Sequence, residues 1–178
     1  MSHATAAIHR HATAQSRIET PLGAVLLART ADGLAGAWFE GQKHHPGELD
    51  APHLDDDPLL AAAARQLQAY FSGAPAAFDV PLDLQGSAFQ RSVWAALLDI
   101  GSGATRSYGD IARAIGAPLA VRAVGSAVGR NPVSVIVPCH RVVGSDGSLT
   151  GYAGGTDRKL ALLKLEGAAL AQAAEALA

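Results

Sequence analysis

The chain has 178 residues, 49% of them hydrophobic and 17% charged, with a formal net charge of −2, enough for one domain or two small ones with proper cores. No stretch is long and apolar enough to span a bilayer, and residues 1–15 lack the apolar run of a secretory signal. Cys139 is the one cysteine, which excludes an internal disulfide and a cysteine-rich zinc site and points to a cytoplasmic protein with no membrane partner.

Residues 1–15 carry His3, His9, Arg10 and His11 among small side chains and are expected to form a disordered tail. Apolar runs at 24–27 and 34–39 flank Ala31-Asp32-Gly33 and predict a hairpin within residues 18–39. Residues 41–56, polar and containing Pro46 and Pro52, read as loop. Asp57-Pro58 then opens a helix as N-cap and first helical residue, and Leu60, Ala63, Leu67 and Tyr70 carry it to about Phe71. Residues 78–84 alternate and predict a strand, at a sheet edge because of Pro81. Residues 16–84 therefore read as a small α+β domain.

The rest is helical and loop-rich. Phe89, Val93, Trp94, Leu97 and Leu98 recur at a helical period. Ser107-Tyr108-Gly109-Asp110 has the form of a capping box and opens a helix that Gly116 stops. A second short helix over about 119–128 completes a helix-turn-helix pattern. Its surface is almost bare of bulk, with Ala120, Ala123, Gly125, Ser126, Ala127 and Gly129 around one long side chain, Arg122. Such a surface suits close approach to a DNA backbone or groove. Residues 133–137 read as a short β run delivering Pro138-Cys139. A Gly/Ser-rich loop fills 144–155, Thr156 is expected to cap a helix over 157–165, and an alanine-rich tail covers 168–178.

Charge is split along the chain. Residues 106–164 hold eight Lys and Arg against three Asp and Glu, a balance of +5, whereas residues 1–105 hold six against eleven, a balance of −5. The basic half suggests a polyanionic partner.

Cys139 lies in Pro138-Cys139-His140-Arg141-Val142-Val143, where neighbouring positive charge favours the thiolate, the nucleophilic form. The competing reading is an inert buried thiol. A cysteine, a histidine and a carboxylate also serve hydrolases, but those need an oxyanion hole and do not normally place histidine beside the cysteine.

The stretch from Asn131-Pro132 through Ile136-Val137-Pro138-Cys139-His140-Arg141-Val142-Val143, Gly151-Tyr152-Ala153-Gly154-Gly155, Arg158-Lys159 and Leu162-Leu163 to Glu166-Gly167 resembles the O6-alkylguanine-DNA alkyltransferases, also called methylated-DNA–protein-cysteine methyltransferases. Ser107-Tyr108, Arg122-Ala123-Val124-Gly125 and the Phe89-Gln90 helix extend the likeness upstream, and Thr20-Pro21-Leu22-Gly23 and Trp38-Phe39-Glu40-Gly41-Gln42 extend it more weakly into the N-terminal part. The resemblance implies an α+β fold: a small sheet-plus-helix domain (16–84), then a helical DNA-binding and alkyl-acceptor domain (85–167) with a helix-turn-helix and an active-site loop, between tails at 1–15 and 168–178.

It further implies direct-reversal DNA repair. Cys139 would take the alkyl group from O6-alkylguanine in one irreversible transfer, with O4-alkylthymine left open as a second substrate. His140 would draw the thiol proton through a water, and Glu166 would orient His140. The target base would have to leave the stack. Arg122 would fill the gap, and Tyr108 would turn the phosphate. Asn131 would tie the second helix to the cysteine segment, and Ser145 and Tyr152 would line the base pocket. The expected partner is double-stranded DNA, bound by a monomer without cofactor. No metal is expected, because the N-terminal cysteines that hold zinc in some relatives are absent and His44, His45 and His53 are not expected to replace them. The alternative is a protein that recognises alkylated DNA without reacting, its cysteine buried and hard to ionise.

Overall fold

The structure is a computed structural model that describes residues 3–75 and 77–170. The chain divides into two compact units, Met1–Ser87 with Pro132–Ile136, and Ala88–Asn131 with Val137–Ala178.

The first unit is built on an antiparallel sheet of β1 (Ala14–Ile18), β2 (Val25–Arg29) and β3 (Leu34–Phe39), in that order. Ile18 pairs with Val25 and Val25 with Phe39, so the predicted hairpin is β2–β3. Every residue of β3 is buried, which is why this strand reads as a continuous apolar run. The Trp38 ring lies across Gly36, where a Cβ would fall 1.9 Å from the ring, so no other residue fits there. α2 (Pro58–Phe71) starts as its sequence dictates: the Asp57 carboxylate accepts from the amides of Leu59 and Leu60. Leu60, Ala63, Leu67 and Tyr70 are its buried face.

Three expectations fail here, each because tertiary contacts outweigh local signals. The expected disordered tail instead forms α1 (His3–His11), and β1 begins at Ala14. Ile8 of α1 is buried in a cluster with Ala28, Ala35, Trp38 and Leu49, and His9 Nε2 lies 2.9 Å from the Pro46 carbonyl. Residues 78–84 form no regular strand. They meet the sheet at one bridge, Leu34–Leu82, where the Leu34 amide donates to the Pro81 carbonyl and the Asp83 amide to the Leu34 carbonyl. Pro81 has no N–H with which to extend the ladder. Residues 133–137 are likewise reduced to one bridge, Ala37–Val133. Val135 sits at φ 72°, a left-handed conformation costly for a β-branched side chain, and this turns the backbone out of the extended path.

The second unit holds α3 (Ala88–Leu98), α4 (Tyr108–Ala114), α5 (Val121–Gly129) and α6 (Thr156–Leu165). Both arms of the capping box are formed at α4: Ser107 Oγ accepts from the Asp110 amide and Asp110 accepts from the Ser107 amide. α4 and α5 are joined through Gly116 at φ 73°, giving the helix-turn-helix. Trp94 of α3 is fully buried and its indole N–H donates to the Ala127 carbonyl at 2.8 Å, which fixes α5 against α3. β4 (Arg106–Ser107) pairs in parallel with β5 (Val142–Val143), setting the start of α4 beside the segment that follows the cysteine. Thr156 does not cap α6. It is the helix's first residue, and Gly155 at φ 92° holds the cap position without a side-chain bond. Residues 171–178 of the alanine-rich tail lie outside the described residues. Among the described residues no helix is long and apolar enough to cross a membrane.

Candidate active site

Cys139 opens a 3-10 turn, Cys139–Arg141, between the Val137-Pro138 segment and β5. Proline at 138 disfavours a helical Val137 and delivers the cysteine at the turn's start. The Cys139 amide donates to Val137 O at 2.8 Å and the Arg141 amide to Pro138 O at 3.0 Å. Cys139 is buried, with 4% of the residue exposed. Asn131, at the end of α5, donates from Nδ2 to the Val137 carbonyl at 2.8 Å and its side chain also hydrogen-bonds the Cys139 sulfur. One amide thus bonds both the turn's entry and the thiol, and so links the end of α5 to the cysteine turn.

The two residues after the cysteine point to Glu166, just past α6. His140 is fully buried, with Nε2 2.7 Å from Glu166 Oε1. Arg141 grips the same carboxylate with two bonds, Nε to Oε2 and Nη2 to Oε1, both 2.8 Å, and Nη1 donates to the Ile100 carbonyl. A carboxylate between a guanidinium and an imidazole accepts from both. Nε2 of His140 therefore carries the proton, and Nδ1 is left with its lone pair. Nδ1 is buried and has no hydrogen-bond partner among the described residues. Burial, opposed by Glu166, lowers the His140 pKa below 6.5, and the cations Arg141 and Lys159 lower it further. The ring is a neutral base at pH 7.

The electrostatics of the thiol differ from the sequence expectation. Burial raises the Cys139 pKa above its ordinary 9.0, so the resting group is the thiol. Asn131 and the charge of Lys159 act against that rise. Neither neighbour in the chain supplies the cation: His140 is neutral and Arg141 is committed to Glu166.

Tyr108 is the first residue of α4, its ring beside Gly125 of α5. Its hydroxyl lies 3.5 Å from the Gly151 carbonyl and reaches the Thr150 side chain, and burial raises its pKa. Tyr152, in the same loop, packs its ring on Gly154, where a Cβ would come 2.7 Å from the ring, and its hydroxyl is buried. Ser145 stands exposed in the turn 144–148, and no hydrogen bond among the described residues brings it to the sulfur. Arg122 is exposed on the first turn of α5, next to Val121 and the fully exposed Leu119. Between Asp110 and Asp146 the chain carries four arginines and no carboxylate.

Two side chains of the site carry no individual role in the sequence. Arg141 stands there only as a neighbour of the cysteine, yet it clamps Glu166. Lys159 stands there only within the Arg158-Lys159 motif. A lysine at 0% exposure is rare, but nothing in its local sequence marks it as buried, since the charged Asp157 and Arg158 precede it.

A buried thiol beside a neutral histidine and a fixed carboxylate shares its unit with a helix-turn-helix that exposes Arg122, a combination suited to a DNA-binding protein with a reactive cysteine. Residues 88–168 match the family model for the DNA-binding domain of 6-O-methylguanine DNA methyltransferase, and residues 14–84 match its ribonuclease-like domain. The chain belongs to the 6-O-methylguanine DNA methyltransferase family. It is 51% identical over 150 residues to proteins named methylated-DNA–protein-cysteine methyltransferase from Methanosarcina barkeri and Mycobacterium tuberculosis, with 84% of this chain and 94% and 89% of those proteins covered. Its fold is similar to that of a Mycobacterium tuberculosis OGT crystallised in complex with DNA, with a TM-score of 0.78 and 47% identity over 87% of this chain and 93% of that one.

Proposed function

We propose that this protein repairs alkylated DNA by moving the alkyl group of O6-alkylguanine in a duplex onto Cys139, once per chain. The observation that carries this reading is the lone pair on His140 Nδ1, buried in the same turn as the thiol and fixed in tautomer by Glu166. The base flips out of the stack into the site, with Arg122 taking its place and Tyr108 guiding the phosphate. The Cys139 proton passes through one bridging water to His140 Nδ1. The thiolate then attacks the alkyl carbon. The S–C bond forms, the C–O6 bond breaks with its electron pair going to guanine, and the base takes up a proton at N1. No oxyanion develops on a carbonyl, so no oxyanion hole is required. The product thioether has no hydrolysable bond, so the acceptor is spent after one transfer. The partner is double-stranded DNA and the working form is a monomer.

A protein that recognises alkylated DNA without reacting would also bury its cysteine, as Cys139 is buried. Such a protein has no use for a neutral base with a fixed tautomer, which is why transfer is the stronger reading. The test is the intact mass of the protein after mixing with a duplex carrying one O6-methylguanine. The expected result is a gain of one methylene on Cys139, saturating at one per chain and absent from Cys139→Ala. Lesion binding with no change of mass would establish the non-reacting reading.

A further inference from the structure

α6 sends Lys159 into the interior with no solvent exposure. Its Nζ donates to two carbonyls, Val142 O at 2.5 Å and Thr150 O at 2.8 Å. Val142 is three residues past Cys139, at the exit of the cysteine turn. Thr150 belongs to the loop 144–155, next to Gly151 and two residues before Tyr152, and it is where Tyr108 meets that loop. One ammonium therefore joins the backbone leaving the cysteine turn to the backbone of the loop 144–155. Two neutral carbonyls satisfy two of its three protons but do not neutralise its charge. A buried ammonium without a matching anion is costly, and its cost falls when an anion forms nearby.

We propose that Lys159 is a positioning residue for alkyl transfer: it staples the pocket loop to the cysteine segment and holds a positive charge that stabilises Cys139 as the thiolate forms. The proposal rests on Cys139 being the alkyl acceptor. The attraction is mutual: the lysine lowers the thiol and the cysteine raises the lysine, each against a larger opposing effect of burial. The other titratable or charged groups around these two are His140 and Arg141 on the cysteine turn, Glu166 after α6, Arg158 on α6 and Tyr108 on α4. Arg141 and Glu166 pair with each other, His140 is neutral, and Arg158 bonds the Gly154 carbonyl. Lys159 is thus the cation left to answer a thiolate.

The experiment compares wild type with Lys159→Met. Thiolate formation is followed by the pH dependence of Cys139 alkylation with iodoacetamide, methyl transfer by single-turnover mass shift on O6-methylguanine duplex, and DNA affinity by fluorescence anisotropy. The variant is expected to raise the midpoint of thiolate formation by at least about one pH unit and slow transfer at saturating DNA about tenfold, since the thiolate is the reacting form. DNA affinity should stay within about twofold. Slow transfer with an unmoved thiolate midpoint would reduce Lys159 to a structural staple and overturn the proposal. Failure of the wild type to gain a methylene on Cys139 would instead sink the underlying functional reading. If Lys159→Met does not fold, NMR titration of the Lys159 ammonium in wild type and in S-methylated protein serves: a lower midpoint after methylation supports the coupling, and identical midpoints refute it.

Discussion

Glu166→Gln removes one charge and one acceptor from a carboxylate that is 1% exposed and serves Arg141, His140 and the Gly103 amide. Arg141 bonds both oxygens at 2.8 Å and His140 Nε2 lies 2.7 Å from one of them. A glutamine presents an NH2 where one guanidinium N–H or the imidazole N–H requires an acceptor, and it leaves the mostly buried Arg141 without its counter-charge. Breaking a buried pair by removing one partner costs about 3–5 kcal/mol. For a chain of this size each kcal/mol lowers the melting temperature by roughly 2–4 °C, so a fall of roughly 6–20 °C is expected. The chemistry should suffer separately, because an imidazole without its anchor no longer keeps Nδ1 as the acceptor. Loss of a positioned general base is worth about a hundredfold or more in rate. The assay pairs thermal unfolding with single-turnover methyl transfer, below the melting point of the variant. Glu166→Gln/Arg141→Met separates the two effects: removing the stranded cation should restore most of the stability and none of the transfer. A Glu166→Gln protein that transfers at a rate within a few-fold of wild type would refute the tautomer argument.

Two further outcomes follow from the site. The folded His140 pKa lies below the unfolded 6.5, so the unfolded chain takes up a proton first as pH falls through 6.5 and the folded state loses stability there. Transfer needs the neutral ring, so its acid limb is expected below pH 6.5, and a rate profile from pH 5 to 8 with a midpoint at or above 6.5 would contradict this. Asn131→Ala removes one of the two donors to the buried Val137 carbonyl and an N–H from the sulfur. It should cost about 0.5–1.5 kcal/mol in urea unfolding and shift iodoacetamide reactivity of Cys139 to higher pH, and an unchanged reactivity profile would count against the amide–thiol bond.

The elements that sequence alone determined are those whose signals are local. Asp57-Pro58 and Ser107-x-x-Asp110 dictate helix starts because the capping groups lie within three residues of the amides they satisfy. The helix-turn-helix, the cysteine, its histidine and the carboxylate at 166 were legible for a related reason: helical period and a specific motif are properties of the chain. What was illegible depended on contacts distant in sequence. α1 is helical because Ile8 finds Trp38 and Leu49, and residues 78–84 stop short of a strand because Pro81 meets β3 without a donor. The charge balance of the site was settled the same way. His140 and Arg141 adjoin the cysteine in sequence and looked like its cations, yet folding turns both toward Glu166 and leaves the first neutral. The cation that answers Cys139 comes from twenty residues downstream, where α6 buries Lys159 between two carbonyls. Adjacency in sequence fixes which groups are near, but only the packed interior decides which way each points and which charge goes unpaired.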